Sequence, residues 1–152
     1  MLDDKDRSIL RCLQENSRMT ASEIAAVVSL SVPSVSDRIR KLVDSGVITR
    51  FGVNLDHKKL GYDLTAFIAV DSSSSERFEG FVMKARSEDC VVECHSITGE
   101  GSHLLKIRAR SSSDLENRLR DIQGWPGVVR THTMLVLSTY KENATLSLKF
   151  DE

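Results

Sequence analysis

The stretch "SVPSVSDRIRKLVDSG", Ser31 to Gly46, decides how the rest of the chain is read. At about 100° per residue Val35, Ile39 and Leu42 fall close together with Val32 beside them, so the segment reads as an amphipathic helix with a narrow buried stripe. Ser31 is placed to cap it, Pro33 sits in the first turn where a missing N–H is harmless, and Gly46 closes it. Roughly opposite the stripe lie Pro33, Ser34, Asp37, Arg40 and Lys41, with Ser36 and Arg38 on the flanks. Such a face could belong to any solvated helix. The residues before it argue for something more specific.

Asp3, followed three residues later by Asp6, caps a first helix that turns Ile9, Leu10 and Leu13 to one side and ends near Asn16. Thr20 and Glu23 form a capping box ahead of Ile24, Ala25, Val27 and Val28, and "SLS" at 29–31 breaks that short second helix. A short helix, a tight turn and a third helix with small hydroxyl residues at its exposed start form the arrangement that lays a helix in the DNA major groove. The serines let the backbone approach the bases, and the cations a turn later reach base edges or phosphates. The candidate contacts to double-stranded DNA are therefore Pro33, Ser34, Ser36, Asp37, Arg38, Arg40 and Lys41.

Downstream, Val47, Thr49, Phe51 and Val53 alternate as a strand does, and "HKKLGYD" at 57–63 reads as a connector. Leu64, Ala66, Ile68 and Val70 alternate again. The "SSSS" run at 72–75 reads as a loop whose last serine caps a helix carrying Phe78, Phe81, Val82 and Ala85. Val91–Ile97 and His103–Arg110 are predicted strands joined by "TGEGS". Ser113 and Glu116 suggest a capping box before Leu115, Leu119 and Ile122, and "GWPG" stops that helix with Trp125 as a packing residue. Val128–Leu137 is predicted as a long strand and Thr145–Phe150 as a short last one. The fold class is thus α+β: an N-terminal helix-turn-helix domain (1–53), a hinge (54–63) and a C-terminal ferredoxin-like βαββαβ sandwich (64–152). Ala66 or Phe67, Leu104 or Leu105, and Met134 or Leu135 put apolar side chains on both faces of the sheet. The face without helices is therefore expected to pack on a second subunit.

Composition sets the outer limits. The 152 residues are 40% hydrophobic and 28% charged, and no apolar run nears the roughly 18 residues of a membrane span. Net charge is −1, but residues 1–55 hold eight Lys and Arg against seven Asp and Glu, so a case for a polyanionic partner is local. The acidic start "MLDDKD" lacks the pattern of an export signal, and three cysteines (12, 90, 94) do not make a disulfide framework; a cytoplasmic protein with free thiols is expected.

Cys90, Cys94 and His95 cannot chelate a metal from one strand, where four residues span about 13 Å and His95 faces away from Cys94. Gly99 and Gly101 mimic a dinucleotide fingerprint, but no helix follows to meet a phosphate. No cofactor, metal or catalytic constellation is called for.

The chain also resembles the Lrp/AsnC (feast/famine) transcription regulators of bacteria and archaea. "LDDKDRSILRCLQENSRMTASEIAAVVSLSVPSVSDRIRKLVDSGVITRFGVNLDHKKLG" follows their N-terminal pattern, and "VVECHSITGEGSHLLKIRARS" with "GWPGVVRTHTMLVLSTYKE" their ligand-sensing half. The resemblance implies a DNA-binding unit joined by a hinge strand to a sandwich that forms dimers and higher assemblies such as octamers. It also implies a small effector, usually an amino acid, bound between subunits near Gly99, Glu100, Gly101, Ser102 and His103, with Thr131 and Thr133 as further hydroxyl contacts. Many members carry an acidic residue where this chain has Ser102; Glu100 would then supply the counter-charge to an ammonium group. Two other readings stand beside this one: a siroheme-decarboxylase-like enzyme on the same two-domain plan, and an architectural DNA-binding protein with little sequence preference.

Overall fold

The computed structural model describes residues 2–73, 78–142 and 145–148. It divides into two compact units, one of Met1–Asn54 with Glu142–Glu152, the other of Leu55–Lys141.

Three helices make the first unit: α1 (Asp4–Glu15), α2 (Ala21–Val28) and α3 (Val32–Asp44). Their starts follow the sequence signals. Asp3 and Asp6 form a reciprocal capping box on α1, as do Thr20 and Glu23 on α2, and Ser31 accepts from the Ser34 N–H at the head of α3. Ser29 takes a left-handed conformation (φ 55°) that turns the chain between α2 and α3, and Gly46 (φ 74°) follows the end of α3. Ile9, Leu10, Cys12, Ile24, Ala25, Val28, Val35 and Leu42 form one buried core, with Leu13 and Ile39 packed against it. Val27, between buried Ala25 and Val28 on α2, is exposed.

Two sequence expectations fail in this unit's margins. Val47–Val53 is not a strand: it starts in a bend where the Ile48 N–H returns to the Leu42 carbonyl, Phe51 and Val53 are exposed, and no described residue offers it a ladder. Alternation shows which residues could face one side of a sheet, but a strand also needs a neighbour for its N–H and C=O groups. The tail residues 145–148, predicted to begin a last strand of the second domain, have no regular structure and belong to the first unit; Phe150 lies outside the described residues. There the Leu146 N–H donates to Gln14 Oε1 (2.8 Å) and Leu148 packs on the three-helix core.

The connector segment at the start of the second unit holds a hydrogen-bonded turn. His57 Nδ1 lies 2.7 Å from the Tyr62 carbonyl, Asp56 accepts from the Lys58 N–H, and the Tyr62 ring carries the Arg110 guanidinium at 5.1 Å. Then come β1 (Leu64–Ser72), α4 (Phe78–Ser87), β2 (Val91–Ser96), β3 (His103–Ala109), α5 (Ser112–Gln123) and β4 (Val128–Leu135). The antiparallel sheet has the order β2-β3-β1-β4, the ferredoxin-like arrangement expected for a βαββαβ chain. Alternate strand residues Ala66, Ile68, Val70, Leu105 and Ile107 meet Phe81, Ala85, Ile122 and Trp125 in the core beneath the two helices.

Ser111, not Ser113, caps α5, accepting from the Asp114 N–H at 3.1 Å while Asp114 Oδ2 accepts from the Arg110 N–H. The Ser113–Glu116 pair has the right spacing but starts two residues inside the helix. The serine predicted to cap α4, Ser75, lies outside the described residues.

On the sheet face away from the helices, half-buried Phe67 and Leu104 and exposed Met134 lie among polar pairs: Glu93–Lys106 at 3.1 Å, Asp71–Arg130 at 2.7 Å, and Thr65 with Arg108. Burial alone would raise the Glu93 carboxyl; Lys106 and His95 outweigh it and hold it low. This face is more polar than the expected apolar surface.

Candidate nucleic-acid interface and effector loop

The predicted DNA contacts divide into two groups in the structure. On the outer face of α3, Pro33, Ser36, Arg40 and Lys41 are exposed, and Ser34 and Asp37 partly so. Asp37 pairs with Arg40 one turn on and with Lys41 at 2.8 Å. The Lys41 hydrogen bond, followed by the charges of Lys41 and Arg40, holds the Asp37 carboxyl below the usual range. The result is two cations gathered around one carboxylate at the middle of the helix, with small residues N-terminal to them. Cations at that position can take phosphates, and the carboxylate can accept from a cytosine amino group.

Arg38 behaves differently. Its Nη1 lies 2.7 Å from Asp3 Oδ2 and 2.7 Å from Asp6 Oδ1, which turns the side chain back onto the start of α1. A hydrogen bond from the Asp6 N–H, then Arg38, depress the Asp3 carboxyl; Asp3 and Asp6 together raise Arg38. A groove of about 670 Å³ runs along this flank, lined by Leu2, Asp6, Ser34, Asp37, Arg38 and Lys41 among others. The helical wheel placed Arg38 on the flank but could not show which neighbour would sit there. The signal that could have shown it is the capping pair itself, because two aspartates in one box have spare oxygens for a cation.

The loop between β2 and β3 is held by its own polar atoms. The Ser102 N–H donates to the Val70 carbonyl at 2.8 Å, and Ser102 Oγ lies 3.1 Å from the same carbonyl and 2.9 Å from His103 Nδ1. Gly99 and Gly101 both have left-handed backbones, φ 99° and 90°. Glu100 between them is exposed. His103 is only 2% exposed, its ring edge-on to Phe78 (4.8 Å) and tilted against Phe81 (4.7 Å), and burial pushes its pKa down. It lines a cavity of about 280 Å³ between α4 and β2 together with Val82, Ala85 and Cys94. Ser102 and His103 are thus engaged within the fold, Gly101 lies against Val70, and Glu100 is the loop's exposed carboxylate.

Thr131 and Thr133 lie on β4, on the far side of β1 from β3. Val70 of β1 pairs with His103 on one side and Thr131 on the other, and Ile68 pairs with Leu105 and Thr133, so both threonines lie across β1 from β3, while the loop rests on Val70, the strand partner of Thr131. Thr131 Oγ1 accepts from Gln123 Nε2 at 3.4 Å.

Among the described residues no cluster of three or more His, Cys, Asp or Glu could hold a metal, and no helix is long and apolar enough to cross a membrane. Cys12 and Cys90 are buried, Cys94 is half-buried, and burial raises the thiols of Cys90 and Cys94.

Comparison with known proteins agrees with this geometry. A family model described as the Lrp/AsnC ligand binding domain matches residues 65–146, and one described as a winged helix-turn-helix DNA-binding domain matches residues 2–49. The HTH-type transcriptional regulator FL11 of Pyrococcus horikoshii is 37% identical over 148 residues, covering 97% of each chain. The crystal structure of the transcriptional regulator NMB0573 from Neisseria meningitidis, an L-Met complex, superposes with a TM-score of 0.92 at 29% identity over 97% of both chains. The feast or famine regulatory protein Rv3291c from M. tuberculosis, complexed with L-methionine, gives 0.90 at 30% identity over 96% of this chain and 99% of the other.

Proposed function

The chain belongs to the Lrp/AsnC family and is a transcriptional regulator with a helix-turn-helix and a ligand-binding domain; we propose that it reads specific DNA sequence with α3 and is modulated by an amino acid or related effector bound between subunits. The observation that carries the DNA reading is the outer face of α3. Small Pro33, Ser34 and Ser36 lead into Arg40 and Lys41 around Asp37, a layout suited to close approach at the N-terminal end and phosphate or base contact a turn later.

The effector reading rests on the β2–β3 loop. Glu100 offers an exposed carboxylate to an ammonium group, and the glycine-flanked backbone offers N–H groups to a carboxylate. The L-Met complexes of NMB0573 and Rv3291c support an amino acid as the class of ligand. Thr131, the strand partner of the Val70 on which the loop rests, and Thr133 add hydroxyl groups in this reading, and the site is completed by a second subunit. The helix-free sheet face, with Phe67, Leu104 and Met134 among its charged pairs, is the proposed dimer surface, and dimers assemble further, to an octamer in this reading. The protein works in the cytoplasm and needs no cofactor or reaction.

Calorimetric titration of the full-length protein with the twenty amino acids tests the effector reading. Heat with at least one of them, weakened more by Glu100→Gln than by Ser102→Ala, is expected; no heat and no change in assembly with any of them would leave a constitutive DNA-binding protein.

A further inference from the structure

All four carboxylate oxygens of Asp3 and Asp6 are engaged, two in the α1 capping box and two elsewhere. Asp3 Oδ1 accepts from the Asp6 N–H at 2.8 Å, and Asp6 Oδ2 from the Asp3 N–H at 3.2 Å. The two oxygens left over, Asp3 Oδ2 and Asp6 Oδ1, both point at Arg38 Nη1, each 2.7 Å away. The two N–H groups of that one nitrogen suffice for both bonds. The Asp6 side chain is 16% exposed and that of Arg38 29%, so the cluster is partly shielded from water. We propose that Arg38 is a positioning residue: it fixes the seat of α3 against α1 through Asp3 and Asp6, while Arg40 and Lys41 carry the contact with DNA.

Charge and geometry both support this division of labour. For Arg38 to leave for a phosphate it must break two short ion pairs and abandon two carboxylates next to the polyanion it is moving towards. Among the described residues Arg40 and Lys41 pair with Asp37 alone, and they stand farther out, with side chains 69% and 72% exposed. The clamp also joins two features that sequence reading treats separately, a helix cap and a recognition-helix arginine 32 residues after Asp6. A helix presented to base edges must be held to within a fraction of an ångström, and the Arg38 bonds tie the middle of α3 to the first turn of α1. The competing use of Arg38 is donation to a phosphate from its remaining guanidinium N–H groups, and the two uses predict opposite results.

The inference rests on the DNA-binding reading, and Lys41→Ala reports on that reading separately, because its salt slope falls whenever α3 lies on phosphates. The test uses the full-length protein and two labelled duplexes, one selected by the wild type from a random-sequence pool and one scrambled, titrated across a salt series. Arg38→Ala and Asp6→Asn are each expected to weaken binding to the selected duplex by roughly tenfold, with the salt slope and the scrambled-duplex affinity unchanged. The double variant should be no weaker than the poorer single, and Arg38→Lys should recover part of the loss. Three results would overturn the proposal: tighter binding by Asp6→Asn, as removing a negative charge near a phosphate contact gives; a slope lowered by about 0.9 in Arg38→Ala, the mark of one phosphate no longer neutralised; or equal loss on both duplexes, the mark of simple unfolding.

Discussion

Gly99 and Gly101 are two residues apart, both in left-handed backbone, and substitution by alanine should separate them. Each pays for placing a Cβ at φ near +90°, a cost of about 1–2 kcal/mol. At Gly99 nothing lies within 4 Å of the new Cβ, so the cost ends there. At Gly101 the Cβ would stand 3.2 Å from the Val70 carbonyl oxygen, 3.4 Å from the Val70 nitrogen and 3.5 Å from Ala69 Cβ. That carbonyl is also the acceptor for the Ser102 N–H, with Ser102 Oγ close by, so moving it by a few tenths of an ångström weakens the bonds that hold the loop. One or two such bonds add about 0.5–1.5 kcal/mol each. The expected totals are about 1–2 kcal/mol for Gly99→Ala and about 1.5–5 for Gly101→Ala. Urea denaturation of full-length protein, followed by a probe of the second unit, measures both, and hydrogen exchange at Ser102 reports the loop directly. Equal destabilisation by the two variants, or a neutral Gly101→Ala, would refute the reasoning that the Val70 contact sets the difference.

Two further outcomes follow from the same unit. Removing the α5 cap with Ser111→Ala should cost about 0.5–2 kcal/mol, whereas Ser113→Ala should stay within about 0.5; thermal denaturation that reverses this order would return the cap to Ser113. His103 is buried and its pKa is depressed, so the folded state resists a proton that the unfolded chain accepts near its ordinary value of about 6.5. The stability of the second unit should therefore be full above that pH and fall on acidification towards the folded-state pKa, by at most about 1.4 kcal/mol per pH unit. His103→Gln should flatten that part of the profile, and a wild-type profile level between pH 7 and 5.5 would contradict the assignment.

The fold was legible where local signals and periodicity agreed. Asp3–Asp6, Thr20–Glu23 and Ser31 begin their helices as read from the sequence, and the alternation of Ala66, Ile68 and Val70 matches the buried face of β1. It was less legible where an element's identity depends on a neighbour distant in sequence. Val47–Val53 alternates but has no described strand to pair with, and residues 145–148 return to the first unit through contacts with α1 that no periodicity encodes.

The candidate site shows the same limit. Which residues of α3 face outward could be computed from 100° per residue, but the engagement of Arg38 by Asp3 and Asp6 depends on how α1 lies against α3. Likewise, "TGEGSH" was recognisable as a glycine turn. That His103 would be enclosed by Phe78 and Phe81, and that Ser102 would be bonded to Val70, depends on the register of β1 with β3.

The claim that α3 reads DNA sequence is tested most directly by repeating the selection from a random-sequence pool with an Arg40→Ala, Ser36→Ala variant in place of the wild type. The account predicts that the preferred sequence relaxes at one or two positions per half-site. Affinity for the wild-type sequence should fall by about 1–3 kcal/mol for each base that α3 no longer touches, while the protein stays folded. Recovery of the same preferred sequence at unchanged affinity would contradict it.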